Sequence, residues 1–209
     1  MKKTILLILF FNTFLSFSQH YKFNILTKYK SMNGFYKEKS IYSNKENNYY
    51  FLNIDKINNK ISAEILDLKR SRKHRFRVIE NISSLNEKSY QFVFLKSIKF
   101  KIHEPLKGYR HKFSIISKDS ISKVVKMSLV NKKGKVINNA ELKIKNYPFN
   151  LFPVFRYICL HPFEFSQNTY FNGTGIVESY TQYNKKNKEN VHIYLDFFEE
   201  VNMSITVPL

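Results

Sequence analysis

The 209-residue chain predicts an all-β, mainly antiparallel domain. Three features carry that expectation. Apolar and polar residues alternate with period two through most of the sequence, as they do in strands with one buried face. Short polar turns, several containing Asn-Gly or Asn-Asn, separate the alternating segments. Two stretches, residues 90–103 and 191–207, hold one alternating phase far longer than an ordinary strand. Ten to twelve strands joined in this way fit one strongly curved sheet or an open barrel with one short helix, and a β-sandwich is the alternative.

Residues 1–18 read as a secretory signal peptide. Lys2 and Lys3 precede an apolar run, and the small residues Ser16 and Ser18 place cleavage after Ser18. The run is too short to span a membrane as a helix. Its ending, Phe17-Ser18-Gln19, resembles the export signals of flavobacteria-like organisms, a resemblance that covers the signal alone and implies an address. No cysteine stands at the cleavage site to carry a lipid anchor. The single cysteine, Cys159, excludes an internal disulfide, which fits a bacterial envelope better than a small eukaryotic secreted domain. The expected location is the periplasm, or a secreted or outer-membrane-associated state. Residues 19–209 form one domain, with no repeat and no linker.

Taken in order, residues 21–30 alternate Tyr21, Phe23, Ile25 and Tyr29 against Lys22, Asn24, Lys28 and Lys30. Asn33-Gly34 turns the chain into a second strand over 35–42, and 43–48 is a polar loop. Residues 49–79 read as a three-stranded meander turning at Asn58-Asn59 and at 69–72. Residues 80–89 are polar, and 90–103 form the first long strand. Glu104-Pro105-Leu106-Lys107-Gly108 breaks the pattern. Strands follow over 112–117 and 122–130. The turn at 131–134, with Gly134 in the positive-φ position, leads to a return carrying Val136, Ala140, Leu142 and Ile144 on one face.

Residues 147–162 are apolar on all sides and bounded by prolines. Asn150 can cap a short helix, Pro153 suits its first turn, and Pro162 ends it. A helix without a polar face is buried or plugs a cavity. A strand over 174–184, a basic loop at 185–188 and the second long strand complete the chain.

The formal net charge is +19, or +17 without Lys2 and Lys3, which favours polyanionic partners. The densest run is Lys69, Arg70, Arg72, Lys73, Arg75 and Arg77, a candidate anion-binding set in which Lys73, Arg75 and Arg77 line one strand face. The turns at 131–135 and 184–188 are also lysine-rich and could share a rim with it. Phe76 alternates inward, so the run lacks the exposed aromatics that single-stranded nucleic acid stacks on, and nucleic acid is disfavoured. Lys96 and Glu199 each interrupt one of the two long apolar faces. They meet as a buried pair or face a wet cavity, or else each marks a bulge or strand end and lies in solvent.

Catalytic motifs are missing: there is no G-x-S-x-G, no Walker loop and no dinucleotide fingerprint. His103 lacks a histidine partner four residues on, and Pro105 forbids the helix a zincin needs, so neither a metal nor a cofactor is expected. The expected function is an exported cell-envelope module that binds or carries an apolar or anionic amphiphilic ligand without catalysis. A structural or protein-interaction role and a hydrolase with an unrecognised site are the alternatives. The expected partners are anionic lipid, glycan or an envelope surface, with no transmembrane helix in the mature chain.

Overall fold

A computed structural model describes residues 18–33, 37–57, 60–82, 88–101, 108–160, 170–184 and 188–208. Residues 1–17 of the expected signal peptide, the expected turn residues Gly34 and Asn58-Asn59, His103 to Lys107, Pro162 and the lysine-rich 185–187 lie outside them.

Eleven strands form one antiparallel sheet: β1 (Gln19–Ser31), β2 (Glu38–Ser43), β3 (Tyr50–Ile57), β4 (Lys60–Asp67), β5 (Arg72–Ile82), β6 (Lys88–Lys99), β7 (Arg110–Lys118), β8 (Ser122–Val130), β9 (Val136–Lys145), β10 (Ile176–Tyr183) and β11 (Glu189–Val207). Among the described residues one helix, α1 (Phe152–Cys159), interrupts them. The spatial order is β6-β5-β4-β3-β2-β1-β11-β10-β9-β8-β7. Every strand thus pairs with its sequence neighbour except β6 with β7, and the first strand pairs with the last.

The strand count explains why the sheet stays open. A closed ring of antiparallel neighbours needs an even number of strands. Directions alternate along these eleven, so the two edges, β6 and β7, run the same way. The connection between Lys99 and Arg110 spans at most about 40 Å when fully extended. Ten strand spacings in a flat sheet would separate the edges by about 48 Å, and the link must also travel back along the strands. The sheet is therefore curled, an open sheet on the way to a barrel.

Two hydrophobic clusters form the core. The first surrounds α1: Ile25, Tyr29, Ile41, Phe51, Leu142, Tyr180 and Ile193 on the strands meet Phe152, Val154, Phe155 and Ile158 on the helix. The Phe51 and Tyr157 rings stack at 4.5 Å, and Tyr29 and Phe155 meet edge to face at 5.8 Å. The Tyr29 hydroxyl donates to the Val177 carbonyl at 2.7 Å. The helix forms as its sequence suggests. Pro153 sits in the first turn, and Asn150 Oδ1 accepts the Phe152 N–H at 3.1 Å, although Leu151 holds the formal cap position. The second cluster packs Tyr21, Phe23, Ile205 and Val207, at the paired ends of β1 and β11, against Leu52, Ala63, Ile65, Phe76 and Val78. Phe51 faces one cluster and its neighbour Leu52 the other, so β3 is covered on both sides.

Bulges set the phase of both long strands. Strand β6 steps from Lys96 opposite Arg75 to Phe94 opposite Phe76, leaving Leu95 as the extra residue. Phe92, Phe94 and Ser97 therefore share a face, and Lys96 turns to the other. Strand β11 has extra residues between Met203 and Glu200 and between Phe197 and Leu195. Between these bulges Phe198 takes the inner phase and packs on the first cluster, while Phe197 and Glu199 turn outward. The single unbroken phase expected over 191–207 is corrected accordingly.

Candidate functional site

One end of the sheet carries the start of β1, the turns at 44–49, 68–71 and 146–150, and the N-terminus of α1. Side chains of Asn organise these turns. Asn44 Oδ1 accepts the N–H groups of Glu46 and Asn47, and its Nδ2 donates to the Lys22 carbonyl at 3.0 Å. Asn47 Oδ1 accepts the Tyr49 N–H. Asn150 Nδ2 donates to the Phe171 carbonyl, and Asn48 Nδ2 donates to the carbonyl of Asn150. Such local side-chain bonds replace the missing ladder partners of a turn.

These turns enclose a cleft of about 570 Å³, lined by Glu46, Asn48, Tyr49, Leu68, Lys69, Asn150, Pro153, Arg156 and Tyr170. Leu68 and Pro153 supply apolar wall. Tyr49 and Tyr170 stand 61% and 60% exposed beside it. Two cations reach the cleft, Lys69 from the turn after β4 and Arg156 from α1. Burial lowers the Arg156 pKa, though a guanidinium keeps its proton at any physiological pH. Among the described residues the lining has one carboxylate, Glu46, and no histidine, cysteine or serine. It can bind a polar or anionic group beside a flat apolar one.

The structure disperses the basic run. Lys69 alone lines the cleft. Arg70 Nη1 bonds Asp67 Oδ2 at 3.0 Å. Arg72 stands opposite Lys99 at the end of β5. Lys73, Arg75 and Arg77 do share one strand face, but Lys73 and Arg75 both pair with Glu64, at 3.2 and 3.1 Å, and Arg77 is exposed. The turn at 131–135, and Asn184 and Lys188 that flank the other basic turn, lie at the opposite end of the sheet, because successive hairpins of this antiparallel order alternate ends. The shared rim is corrected to two basic turns at one end and 69–72 at the other. Lys96 and Glu199 do not form a buried pair. Both are exposed, on the edge strand β6 and the central strand β11, and each stands beside a bulge that removes it from an apolar face.

A buried polar chain lies between the second cluster and β6, and alternation alone gave no sign of it. The Tyr21 hydroxyl is 2.8 Å from Asp67 Oδ2, 3.0 Å from His74 Nε2 and 2.6 Å from the Gln19 amide oxygen. His74 Nδ1 is 2.7 Å from Ser97 Oγ. Asp67 and His74 are 1% and 0% exposed. Burial raises the Tyr21 pKa, with the Asp67 carboxylate adding to it. Burial lowers that of His74, opposed by Asp67 and assisted by Arg72 and Arg70. A serine, a histidine and an aspartate thus meet, but Tyr21 separates His74 from Asp67 and the ring is sealed in the core. This arrangement anchors β1 to β4, β5 and β6.

On the inner phase of β11, Glu200 accepts the Tyr147 hydroxyl at 2.7 Å and Lys45 Nζ at 3.2 Å. The described residues contain no cluster of metal-ligating side chains and no helix long and apolar enough to cross a membrane. No protein-family model matches the chain, and a search of curated proteins finds no match.

Proposed function

We propose that the protein is a non-catalytic binding module of a bacterial cell envelope, exported by its signal peptide, whose cleft takes a small anionic amphiphile. One observation carries the reading: Lys69 and Arg156 enter a cleft of about 570 Å³ together with two exposed tyrosines. That volume suits a small ligand, and a few placed polar groups within apolar and aromatic walls are what such sites use. The anionic half of the expectation gains more support than the purely apolar half, because α1 and its cluster occupy the concave side of the sheet.

Isothermal titration with hexyl phosphate, against the uncharged hexyl glucoside, tests it. The phosphate binds and the glucoside binds at least tenfold more weakly. Lys69→Glu weakens phosphate binding by tenfold or more, a loss of about 1.4 kcal/mol. Absence of phosphate binding, or binding indifferent to Lys69→Glu, overturns the proposal.

A further inference from the structure

The end of the sheet opposite the cleft points to a second role. Three hairpins stand there side by side, β1–β2, β10–β11 and β8–β9, because β1 pairs with β11 and β10 with β9. Their tips combine two features. Met32, Tyr183, Val136 and Ile137 are large apolar side chains held in solvent, Met32 at 70% and Ile137 at 51% exposure. Lys132, Lys133, Lys135 and Lys188 are exposed beside them. Elsewhere on the sheet some lysines find carboxylates, Lys28 and Lys30 with Asp196, Lys45 with Glu200, Lys73 with Glu64 and Lys143 with Glu178, while others, such as Lys99, Lys118 and Lys145, stand in solvent. Among the described residues none of the four hairpin-tip lysines is ion-paired. Glu189, next to Lys188, offsets one charge.

The tips also share a front. Following the pairing rows through Ile193, Tyr180 and Leu142, Ile137 stands three strands across from Met32 and four residues further along. These steps are about 14 Å and about 13 Å. The front therefore slants by about 40° from the perpendicular to the strands. Strands tilted about 35–45° to a barrel axis end on a level rim in this way. The β8–β9 turn is a built loop: Asn131 Oδ1 accepts the N–H groups of Lys133 and Lys135, and Gly134 takes φ +80°.

We infer that this rim docks on the surface of a bilayer containing anionic lipid. Unpaired lysines meet the headgroups while Met32, Val136, Ile137 and Tyr183 enter the interface. Charge complementarity selects an anionic partner. Flexible apolar side chains among the lysines select a bilayer over a soluble polyanion, which offers nothing for them to enter. Docked so, the cleft opens away from the membrane.

Vesicle co-sedimentation of the mature chain tests the inference, with phosphatidylcholine vesicles containing or lacking 30% phosphatidylglycerol. The protein partitions onto the anionic vesicles. Lys132→Gln, Lys133→Gln and Lys135→Gln together weaken partition by 30-fold or more, since each lysine near an anionic surface contributes about fivefold. Removing the same charge at the other end, with Lys99→Gln, Lys118→Gln and Lys145→Gln, weakens it by less than threefold. Val136→Ser with Ile137→Ser weakens it at least fivefold and leaves retention on heparin unchanged. Equal losses from the two lysine triplets would mean that net charge alone acts, and would overturn the assignment. So would equal partition onto uncharged vesicles, no partition at all, or indifference to the serine pair. Circular dichroism of each variant, matching the parent, keeps the comparison one of folded proteins.

Discussion

Replacing Tyr21 with phenylalanine removes one oxygen atom and no packing volume, so its effect isolates the buried polar chain. The hydroxyl has one proton and lies within 3.0 Å of Asp67, His74 and Gln19. Asp67, a carboxylate, is the strongest acceptor of the three, and His74 Nε2–H can donate to the phenol oxygen in turn. In Tyr21→Phe the carboxylate retains the Arg70 backbone and side-chain bonds, but the His74 Nε2 is left facing a ring edge. A hydrogen bond to a charged group contributes about 1.5–3 kcal/mol, and a buried polar group left unsatisfied costs about 1–3. The expected destabilisation is about 4 kcal/mol. With a urea slope of about 2 kcal/mol per molar, the unfolding midpoint falls by about 2 M at unchanged slope. Adding His74→Leu tests the coupling: the second change removes the orphaned nitrogen, so Tyr21→Phe costs about 1–2 kcal/mol less in that background. A midpoint shift below about 0.5 M, or strict additivity with His74→Leu, would refute the argument that this chain holds β1 against β4, β5 and β6.

Two further outcomes follow from the same core. Acid weakens the fold above the range where carboxylates titrate. Burial drives the His111 pKa down to about 4, and burial also lowers that of His74. The unfolded chain therefore takes up these protons first, so stability is full above about pH 7 and falls as pH drops through 6.5. For His111 the loss completes near pH 4, with a ceiling of about 3 kcal/mol and about half of that for a ring that keeps some solvent contact. Urea midpoints measured from pH 7 to 4.5 fall in the parent and fall less in His111→Gln; a flat profile in the parent contradicts the burial assigned to both rings. Gly175→Ala disrupts the seat of α1. Its φ of +123° excludes most side chains, and a Cβ there would lie 2.6 Å from Ile144 Cγ2 and 2.7 Å from the Lys145 carbonyl oxygen. Backbone bonds to Phe149 and Leu151 prevent it from moving aside. A cost of about 3–5 kcal/mol lowers the melting temperature by about 10 °C or more, and a loss under 3 °C would show the turn to be adaptable.

The fold class was legible because period-two alternation survives in most strands. The buried set on β1, Tyr21, Phe23, Ile25 and Tyr29, is the set its alternation names. The helix was legible from Pro153 and Asn150. The bulges were not, because a bulge changes which residues share a face without altering composition. Lys96 and Glu199 were the only visible traces, and a charge in an apolar phase is ambiguous between a buried partner and an extra residue. Val136 matches the apolar phase of Ala140, Leu142 and Ile144 in the sequence, yet a bulge at Ile137 sets it opposite Val130 and it lies exposed. The cleft was hidden for another reason. Its lining comes from four separated segments, 46–49, 68–69, 150–156 and residue 170, and only the strand order brings them together. Tyr21, Asp67 and His74 likewise meet through register, which sequence does not specify.

The pairing of β1 with β11 has consequences well beyond those two strands. It is antiparallel, so with eleven strands the remaining edges, β6 and β7, must run the same way and cannot close as a hairpin would. It also fixes which turns share an end. Each hairpin reverses the chain, so the loops at 44–49 and 68–71 fall at one end with the termini of β1 and β11, and the tips after β1, β8 and β10 fall at the other. The basic turns are thereby divided between the two ends by topology. Lys69 joins Arg156 at a cleft, while Lys132, Lys133 and Lys135 stand across the length of the sheet, about 30–40 Å away for strands of nine to twelve residues. At that distance exposed charges are screened from one another by physiological salt, whose Debye length is about 8 Å. In the two proposed roles the ends therefore act independently, and charge removed from one should leave the affinity of the other essentially unchanged.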